Sequence, residues 1–116
     1  MLTTQISPSS AATKLDANGN GTVQLGPSGG GEVWLVNVAS VSVSTNVLEA
    51  QCSIFVGAGP SQQYFKDATL SGSSGDSTDR TGAAPIRVGG YVWAVWTGGD
   101  AHSIATLNIA GSKTLP

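Results

Sequence analysis

Short runs of β-forming residues separated by glycine-rich turns make up most of this chain and restrict its fold more than any other feature. Within most runs apolar and polar residues alternate with the period of two that one-sided strands require. No stretch shows helical periodicity with capping residues. The pattern predicts an all-β fold, an antiparallel β-sandwich or jelly roll of about seven to eight strands. The clearest runs are TVQLG (22–26), EVWLVNVASVSVS (32–44), EAQCSIFVG (49–57), APIRVGG (84–90), YVWAVWT (91–97) and HSIATLNIAG (102–111).

The longest run changes phase halfway along. Trp34, Val36 and Val38 share one face, whereas Val41 and Val43 fall on the other. A bulge near residues 39–40 would restore one buried face, and the alternative is a central strand covered on both sides. In the other runs, the core-facing residues are expected to be Ala50, Cys52, Ile54, Val56, Ile86, Val88, Trp93, Ala105, Leu107 and Ile109.

Residues 1–20 have a different texture. They are rich in Ser, Thr and Ala and show neither strand nor helix periodicity. Such a segment cannot form a helix or a core on its own and is typical of an extended arm. We therefore divide the chain into an N-terminal arm, 1–20, and a β-sandwich domain, 21–116. If the arm clasps a neighbour, deletion of residues 2–18 should abolish that contact and leave the domain folded.

The low charge of the chain excludes several classes of function. Only 10% of the residues are Asp, Glu, Lys or Arg, against roughly 25% in ordinary soluble domains. The net charge is −2 and the basic residues are scattered, which argues against nucleic acid as a partner. No apolar run approaches the roughly 20 residues of a membrane-spanning helix. The first residues do not resemble a secretion signal, and the single cysteine, Cys52, cannot form an intrachain disulfide.

One stretch, LDANGNGTVQLGP (15–27), resembles the start of a calcium-binding loop. Asp16, Asn18 and Asn20 alternate, and Gly21 follows them. A complete loop of that type needs a bidentate Glu at its twelfth position, where this chain has Pro27, and a helix on each side. Asn and Gly also favour tight turns. We therefore expect a polar turn that begins a strand, and no calcium site.

No set of residues indicates an active site. The only histidine, His102, follows TGGDA at an expected hairpin tip, where it should be exposed. A dyad with Asp100 would lack a serine presented on a G-x-S-x-G turn. One His and one Cys cannot form a zinc site, and the glycine-rich runs lack the Lys-Ser/Thr of a phosphate loop. We therefore expect a protein that is not an enzyme and that holds no cofactor or metal.

The aromatic residues are the remaining candidates for function. Trp34 and Trp93 fit core positions, whereas Trp96 has the opposite parity to Trp93. An exposed Trp can stack on a sugar ring or anchor an interface. Trp96, Tyr64 and Phe65 are therefore candidate interface residues. The apolar residues of the arm complete the set of candidates: Leu2, Ile6, Pro8 and Leu15.

Three stretches, NGTVQLGP, GEVWLVNVASVSVST and YVWAVWTGGDAHSIATLNIAG, together resemble small virion structural proteins of tailed bacteriophages, especially those that infect actinobacteria. In such proteins a Gly-Glu-x-Trp strand start and a Trp-Thr/Glu-Gly-Gly-Asp hairpin follow each other in this order. The resemblance covers roughly residues 19–111 and includes no catalytic residue. It implies a compact β-sandwich carried on the particle, as a capsid decoration protein or as a minor tail or fibre protein.

The resemblance also implies partners and a location. A decoration protein made in the host cytoplasm would bind the major capsid protein on the capsid exterior and would contact copies of itself. Weak contacts to several subunits add through multivalency, and a homotrimer would suit a jelly roll at a local three-fold position. A tail or fibre position is the alternative. A third hypothesis is a carbohydrate-binding module for a host surface glycan that uses Trp96, Tyr64 and Phe65.

Overall fold

A computed structural model describes residues 2–6, 10–27, 29, 31–44, 47–48, 50–71, 76–78 and 85–115. Over these residues the chain is all-β, and its strands form two antiparallel sheets that pack as a sandwich. The strands are β1 (Leu2–Gln5), β2 (Ser10–Lys14), β3 (Gly21–Leu25), β4 (Val33–Val43), β5 (Ala50–Gly57), β6 (Phe65–Ser71), β7 (Asp76–Thr78), β8 (Pro85–Arg87), β9 (Tyr91–Thr97) and β10 (Ile104–Leu115).

The long strands β4 and β10 pair with each other at the centre of the larger, six-stranded sheet. β1 and β2 follow one another along the other edge of β10, and β7 and β8 along the other edge of β4. The smaller sheet has the order β3-β9-β5-β6. A single turn of 3-10 helix, Gln62–Tyr64, lies between β5 and β6. No helix of the described residues is long and apolar enough to cross a membrane.

The core lies between the two sheets and is formed mainly by alternate residues of β4, β5, β9 and β10. On β5 these are Ala50, Cys52 and Ile54, as the period of two predicts. Ala105, Leu107 and Ile109 of β10 are also buried, and so is Trp34, whose indole Nε1 donates a hydrogen bond to Glu32 Oε1 at 2.9 Å. Two core predictions are wrong, because Val88 is exposed and Trp93 is only half-buried.

The phase change of β4 is resolved by a bulge. Val38 pairs with Ala110 and Val36 pairs with Gly111, so β4 has one extra residue between them. Trp34, Val36, Ala39, Val41 and Val43 are consequently all buried on one face. The predicted bulge is therefore confirmed, although it lies two residues earlier than expected. The alternative of a strand covered on both sides is not needed.

The prediction of an extended N-terminal arm outside the sandwich is wrong for the described residues. β1 and β2 pair with β10 over nine register positions. Ile6 and Leu15 lie in the core, with 5% and 1% of their surface exposed. They are therefore not exposed at an interface, and we now expect deletion of residues 2–18 to destabilise the domain instead of releasing a clasp. The segment escapes notice because its strands are short and mostly polar.

Three strands account for the difference between the ten strands found among the described residues and the seven to eight predicted. β1 and β2 come from the predicted arm, and β7 lies in the polar stretch 71–80, which contains no hydrophobic residue. The sequence alone therefore underestimates the number of strands in the six-stranded sheet. The class, an antiparallel β-sandwich, is as predicted.

Candidate functional site: an aromatic face on the four-stranded sheet

The aromatic residues of the chain divide into two groups. Of the three Trp, two Tyr and two Phe residues, Trp34 and Trp96 are fully buried in the core. The rest lie together on the outer surface of the four-stranded sheet or over its end. We call this group the aromatic face, and its members are Phe55, Tyr64, Phe65, Tyr91 and Trp93.

Strand pairing brings these rings together. Phe55 of β5 lies opposite Trp93 of β9 on one side and opposite Phe65 of β6 on the other. The rings of Phe55 and Phe65 meet edge to face, with centroids 5.7 Å apart and planes at 73°. The rings of Tyr91 and Trp93 pack in the same way at 5.5 Å and 74°. Edge-to-face pairs are a favoured aromatic geometry, so the face is a packed layer.

Gly57 closes the layer at the end of β5. The ring of Tyr64 lies directly over Gly57, and a Cβ atom at that position would collide with it. The 3-10 turn that presents Tyr64 is closed by a hydrogen bond from the Tyr64 N–H to the Ser61 carbonyl at 2.9 Å. The Gly57 carbonyl also accepts a hydrogen bond from Trp93 Nε1 at 3.1 Å. A glycine is therefore required where two aromatic side chains meet the backbone.

The face is rigid but is not covered by the rest of the described chain. Phe65 is 40% exposed, and the other four rings are half-buried. The outer surface of the six-stranded sheet carries no aromatic ring among the described residues: beside the exposed Leu35 and Ile104 it presents small and polar side chains such as Ser10, Ala12 and Asn108. Contiguous exposed apolar surface of this kind marks sites of binding. The aromatic face is therefore the best candidate for a functional surface.

Two of the three aromatic residues predicted at an interface lie on this face, and one does not. Tyr64 and Phe65 belong to it, as described above. The prediction that Trp96 is an interface residue is wrong, because its side chain faces the core with 0% exposure. Trp93, which we expected in the core, takes the outer position. The side chain of Leu2 and all of Pro8 lie outside the described residues.

Three members of the face were missed by the sequence reasoning. β9 reads YVWAVWT, and both of its alternating sets are apolar, so periodicity cannot tell which set faces inward. The outward orientation of Phe55 was expected from the clean alternation of β5. Its position beside Trp93 depends on the pairing of β5 with β9, which are far apart in the sequence.

The loops β2–β3, β4–β5 and β9–β10 meet at the end of the sandwich opposite Gly57. The two carboxylate oxygens of Asp100 accept hydrogen bonds from the backbone N–H groups of Val47 and Leu48, each at 2.8 Å. This arrangement gives Asp100 a structural role. It holds a loop tip at which Val47 is 89% exposed. His102 is exposed as expected and adopts a positive φ of 65°.

The stretch that resembles a calcium loop forms the predicted turn before β3. Asp16 Oδ1 accepts hydrogen bonds from the N–H groups of Asn18 and Asn20, at 2.8 and 3.0 Å. These two N–H groups, with that of Asn20 having the larger effect, hold the pKa of Asp16 below its usual value. A Cβ atom on Gly19 would collide with the carbonyl of Gly99, so this turn also packs against the loop after β9. No cluster of three or more His, Cys, Asp or Glu side chains occurs among the described residues.

Cys52 is a core residue, as expected. It has 0% exposure, and burial raises the pKa of its thiol to about 12. Loss of solvation disfavours the thiolate, which is the nucleophilic form of cysteine. Cys52 is therefore unreactive while the protein is folded.

Comparison with models of known protein families and with curated proteins finds no match to this chain. Any functional argument for it therefore depends on its own residues and on their geometry.

Proposed function

We propose that this protein is a non-enzymatic virion structural protein, a capsid decoration protein that binds the outside of a phage capsid and stabilises it. The observation that supports this function best is the aromatic face, a rigid and partly exposed apolar layer on a chain with only 10% charged residues. Aromatic residues are enriched at protein interfaces and charged residues are depleted at their centres. Burying such a face against protein requires few full charges to be desolvated.

We further propose that the sandwich is a jelly roll. Its strands β2, β10, β4 and β8 in one sheet, and β3, β9, β5 and β6 in the other, follow the order of two interleaved Greek keys. Successive strands change sheet at each step except at the hairpin β5–β6. Jelly rolls occur in viral capsid proteins and also in lectins, so this fold is compatible with both classes of function that the sequence suggested.

The geometry favours a protein partner over a host surface glycan. A sugar-binding platform needs a flat ring surface together with free hydrogen-bond donors or acceptors beside it. Here the neighbouring rings stand at 73° and 74° to one another, and the indole N–H of Trp93 is already bonded to the Gly57 carbonyl. A layer of this shape suits the side chains of another protein.

Particle binding would come from several weak contacts. A decoration protein made in the host cytoplasm and carried on the capsid exterior contacts several copies of the major capsid protein and, in a homotrimer, copies of itself. A minor tail or fibre protein would use the same surface at another place on the particle. Labelling the protein and locating it in images of the virion distinguishes the two positions.

A pair of matched variants tests the proposal. Phe65→Ser removes an exposed ring from the aromatic face, and Ile104→Ser removes a comparably exposed apolar side chain, 44% against 40%, from the six-stranded sheet. We expect Phe65→Ser to reduce co-sedimentation with particles that lack this protein by about tenfold or more, because contacts at the centre of an interface contribute about 2 kcal/mol or more. Ile104→Ser should leave binding unchanged.

Several results would contradict the proposal. It fails if the unaltered protein does not bind the particles, or if both variants bind as well as the unaltered protein. A monomeric mass by light scattering at high protein concentration would remove the trimer from the proposal and leave the aromatic face as a capsid contact.

A further inference from the structure

An open cleft lies at the end of the sandwich where β5 stops and β8 turns into β9. Its volume is about 380 Å³, within the range of about 300–1,000 Å³ of ligand-binding pockets. One wall comes from the four-stranded sheet and the other from β8 of the six-stranded sheet, so the cleft opens between the two layers. The residues that matter for its chemistry are Val56, Lys66, Pro85, Arg87 and Val88.

The cleft concentrates positive charge in a protein that has little of it. Lys66 and Arg87 are two of only five basic residues in the chain, and both line this cleft. No carboxylate is present among the described residues that line it. Neither cation forms an ion pair with another described residue, and both side chains are exposed. An anionic group that enters the cleft would therefore meet two cations available to bind it.

The apolar part of the lining is aliphatic. Val56, Pro85 and Val88 contribute to the walls, and no aromatic ring lines the cleft among the described residues. The turn that carries Arg87 and Val88 is closed by a hydrogen bond from the Gly90 N–H to the Arg87 carbonyl at 2.9 Å. Gly89 in this turn has a φ of 97°, which glycine adopts without strain. Arg87 and Val88 are therefore held on a defined turn.

We propose that this cleft binds an acidic segment of a partner polypeptide, with carboxylates on Lys66 and Arg87 and an aliphatic side chain against Val56 and Val88. Arg and Lys form strong, charge-assisted hydrogen bonds with carboxylates. The aliphatic lining favours a polypeptide over an acidic sugar, because Val56, Pro85 and Val88 would contact an apolar side chain, which a peptide carries and an acidic sugar does not. This inference rests on the proposed function only because it requires a protein partner. It names the chemistry that such a partner would present to the cleft, a surface separate from the aromatic face.

The test is an NMR titration of the whole protein with a blocked peptide of alternating Glu and Leu residues. The same peptide with Gln in place of Glu is the control ligand. We expect the acidic peptide to shift the amide signals of Val88, Gly89 and Gly90 and to bind more weakly as salt increases. The Gln peptide should bind about tenfold more weakly or not at all, because it lacks the carboxylates that Lys66 and Arg87 together would bind.

Variants of exposed residues identify the groups that bind. The double variant Lys66→Gln/Arg87→Gln should weaken binding of the acidic peptide by about tenfold or more. Lys14→Gln is the matched control, since it removes one exposed cation from β2, outside the cleft. It should change binding by less than about twofold. Thermal unfolding of each variant establishes that the fold is retained.

The proposal is wrong if the acidic peptide does not bind at millimolar concentration, if the Gln peptide binds equally well, or if the double variant binds as the unaltered protein does. It is also wrong if an acidic oligogalacturonate shifts the same amide signals and the peptide does not. Because the titration uses no particles, the cleft and the aromatic face can fail separately. Peptide binding with unimpaired particle binding by Phe65→Ser would support the cleft and contradict the aromatic face.

Discussion

The two faces of the four-stranded sheet use aromatic residues in opposite ways. On the inner face, Trp96 is fully buried beside Cys52, its register partner on β5. On the outer face, Trp93 lies three residues earlier on the same strand, packs with Tyr91 and lies beside Phe55, its register partner on β5. The same residue type therefore fills the core on one side of the strand and forms part of the surface on the other.

The largest effect is expected from Trp96→Ala. Removing a fully buried indole leaves a cavity between the sheets, and such changes cost about 3–5 kcal/mol of the free energy of unfolding. Urea denaturation followed by circular dichroism measures the loss. A cost below about 1 kcal/mol would mean that Trp96 does not lie in a packed core.

Trp93→Ala should destabilise the protein less, by about 2 kcal/mol, because it removes a half-buried ring, one edge-to-face contact and one hydrogen bond to Gly57. The same denaturation experiment compares the two variants directly. If Trp93→Ala and Trp96→Ala cost the same, the distinction between the inner and outer faces disappears. Trp93→Phe, which keeps an aromatic ring, should recover part of the loss.

The inner face also predicts a pH dependence. Burial raises the pKa of the Cys52 thiol from 9.0 to about 12, so between these values the unfolded chain loses a proton that the folded protein keeps. Stability is therefore unaffected by this group below pH 9 and falls as the pH rises above it. We expect this loss to grow with each pH unit above 9 until the pH approaches the raised pKa of the folded state.

Cys52→Ala is the control for this pH dependence, because the other titrating groups remain. The free energy of unfolding, measured from pH 7 to pH 10, should fall more steeply for the unaltered protein than for Cys52→Ala. Parallel curves would show that the thiol is accessible to water in the folded state.

The smallest effect on stability is expected at the outermost ring. Phe65→Ser removes a side chain that is 40% exposed, and we expect a cost below about 1 kcal/mol, within the range of surface substitutions that keep a few contacts. Denaturation of Phe65→Ser and Ile104→Ser should give similar values. A large loss for Phe65→Ser alone would mean that the ring supports the fold, and its use as a test of particle binding would then be confounded.

Much of the fold could be predicted because strand periodicity is local. The alternation in β5 identified Cys52 and Ile54 as core residues and Phe55 as an outer residue, and the change of phase in β4 predicted its bulge. The strands β1 and β2 could not be recognised, because a mostly polar edge strand becomes ordered only through pairing with β10. Its few apolar residues, Ile6 and Leu15, follow the strands and carry no periodic signal.

The candidate site was only partly predictable, for a related reason. Tyr64 and Phe65 were identified as candidates, but the choice between Trp93 and Trp96 was wrong. Both sets of alternating residues in β9 are apolar. Burying either set would therefore be favourable, and the sequence of the strand does not show which set faces inward. The side that packs against β4 and β10 is selected by the strands on either side of β9.

The amino-acid order was enough to establish an all-β sandwich, its glycine turns, most of its core and the polar turn at Asp16, since each depends on neighbouring residues and on backbone preferences. Three-dimensional packing was needed to assemble the aromatic face, to incorporate β1 and β2 into the larger sheet and to bring Lys66 and Arg87 to one cleft. These features join residues that are distant in the chain, and their positions depend on strand pairing and on burial between sheets, which no short stretch of sequence specifies.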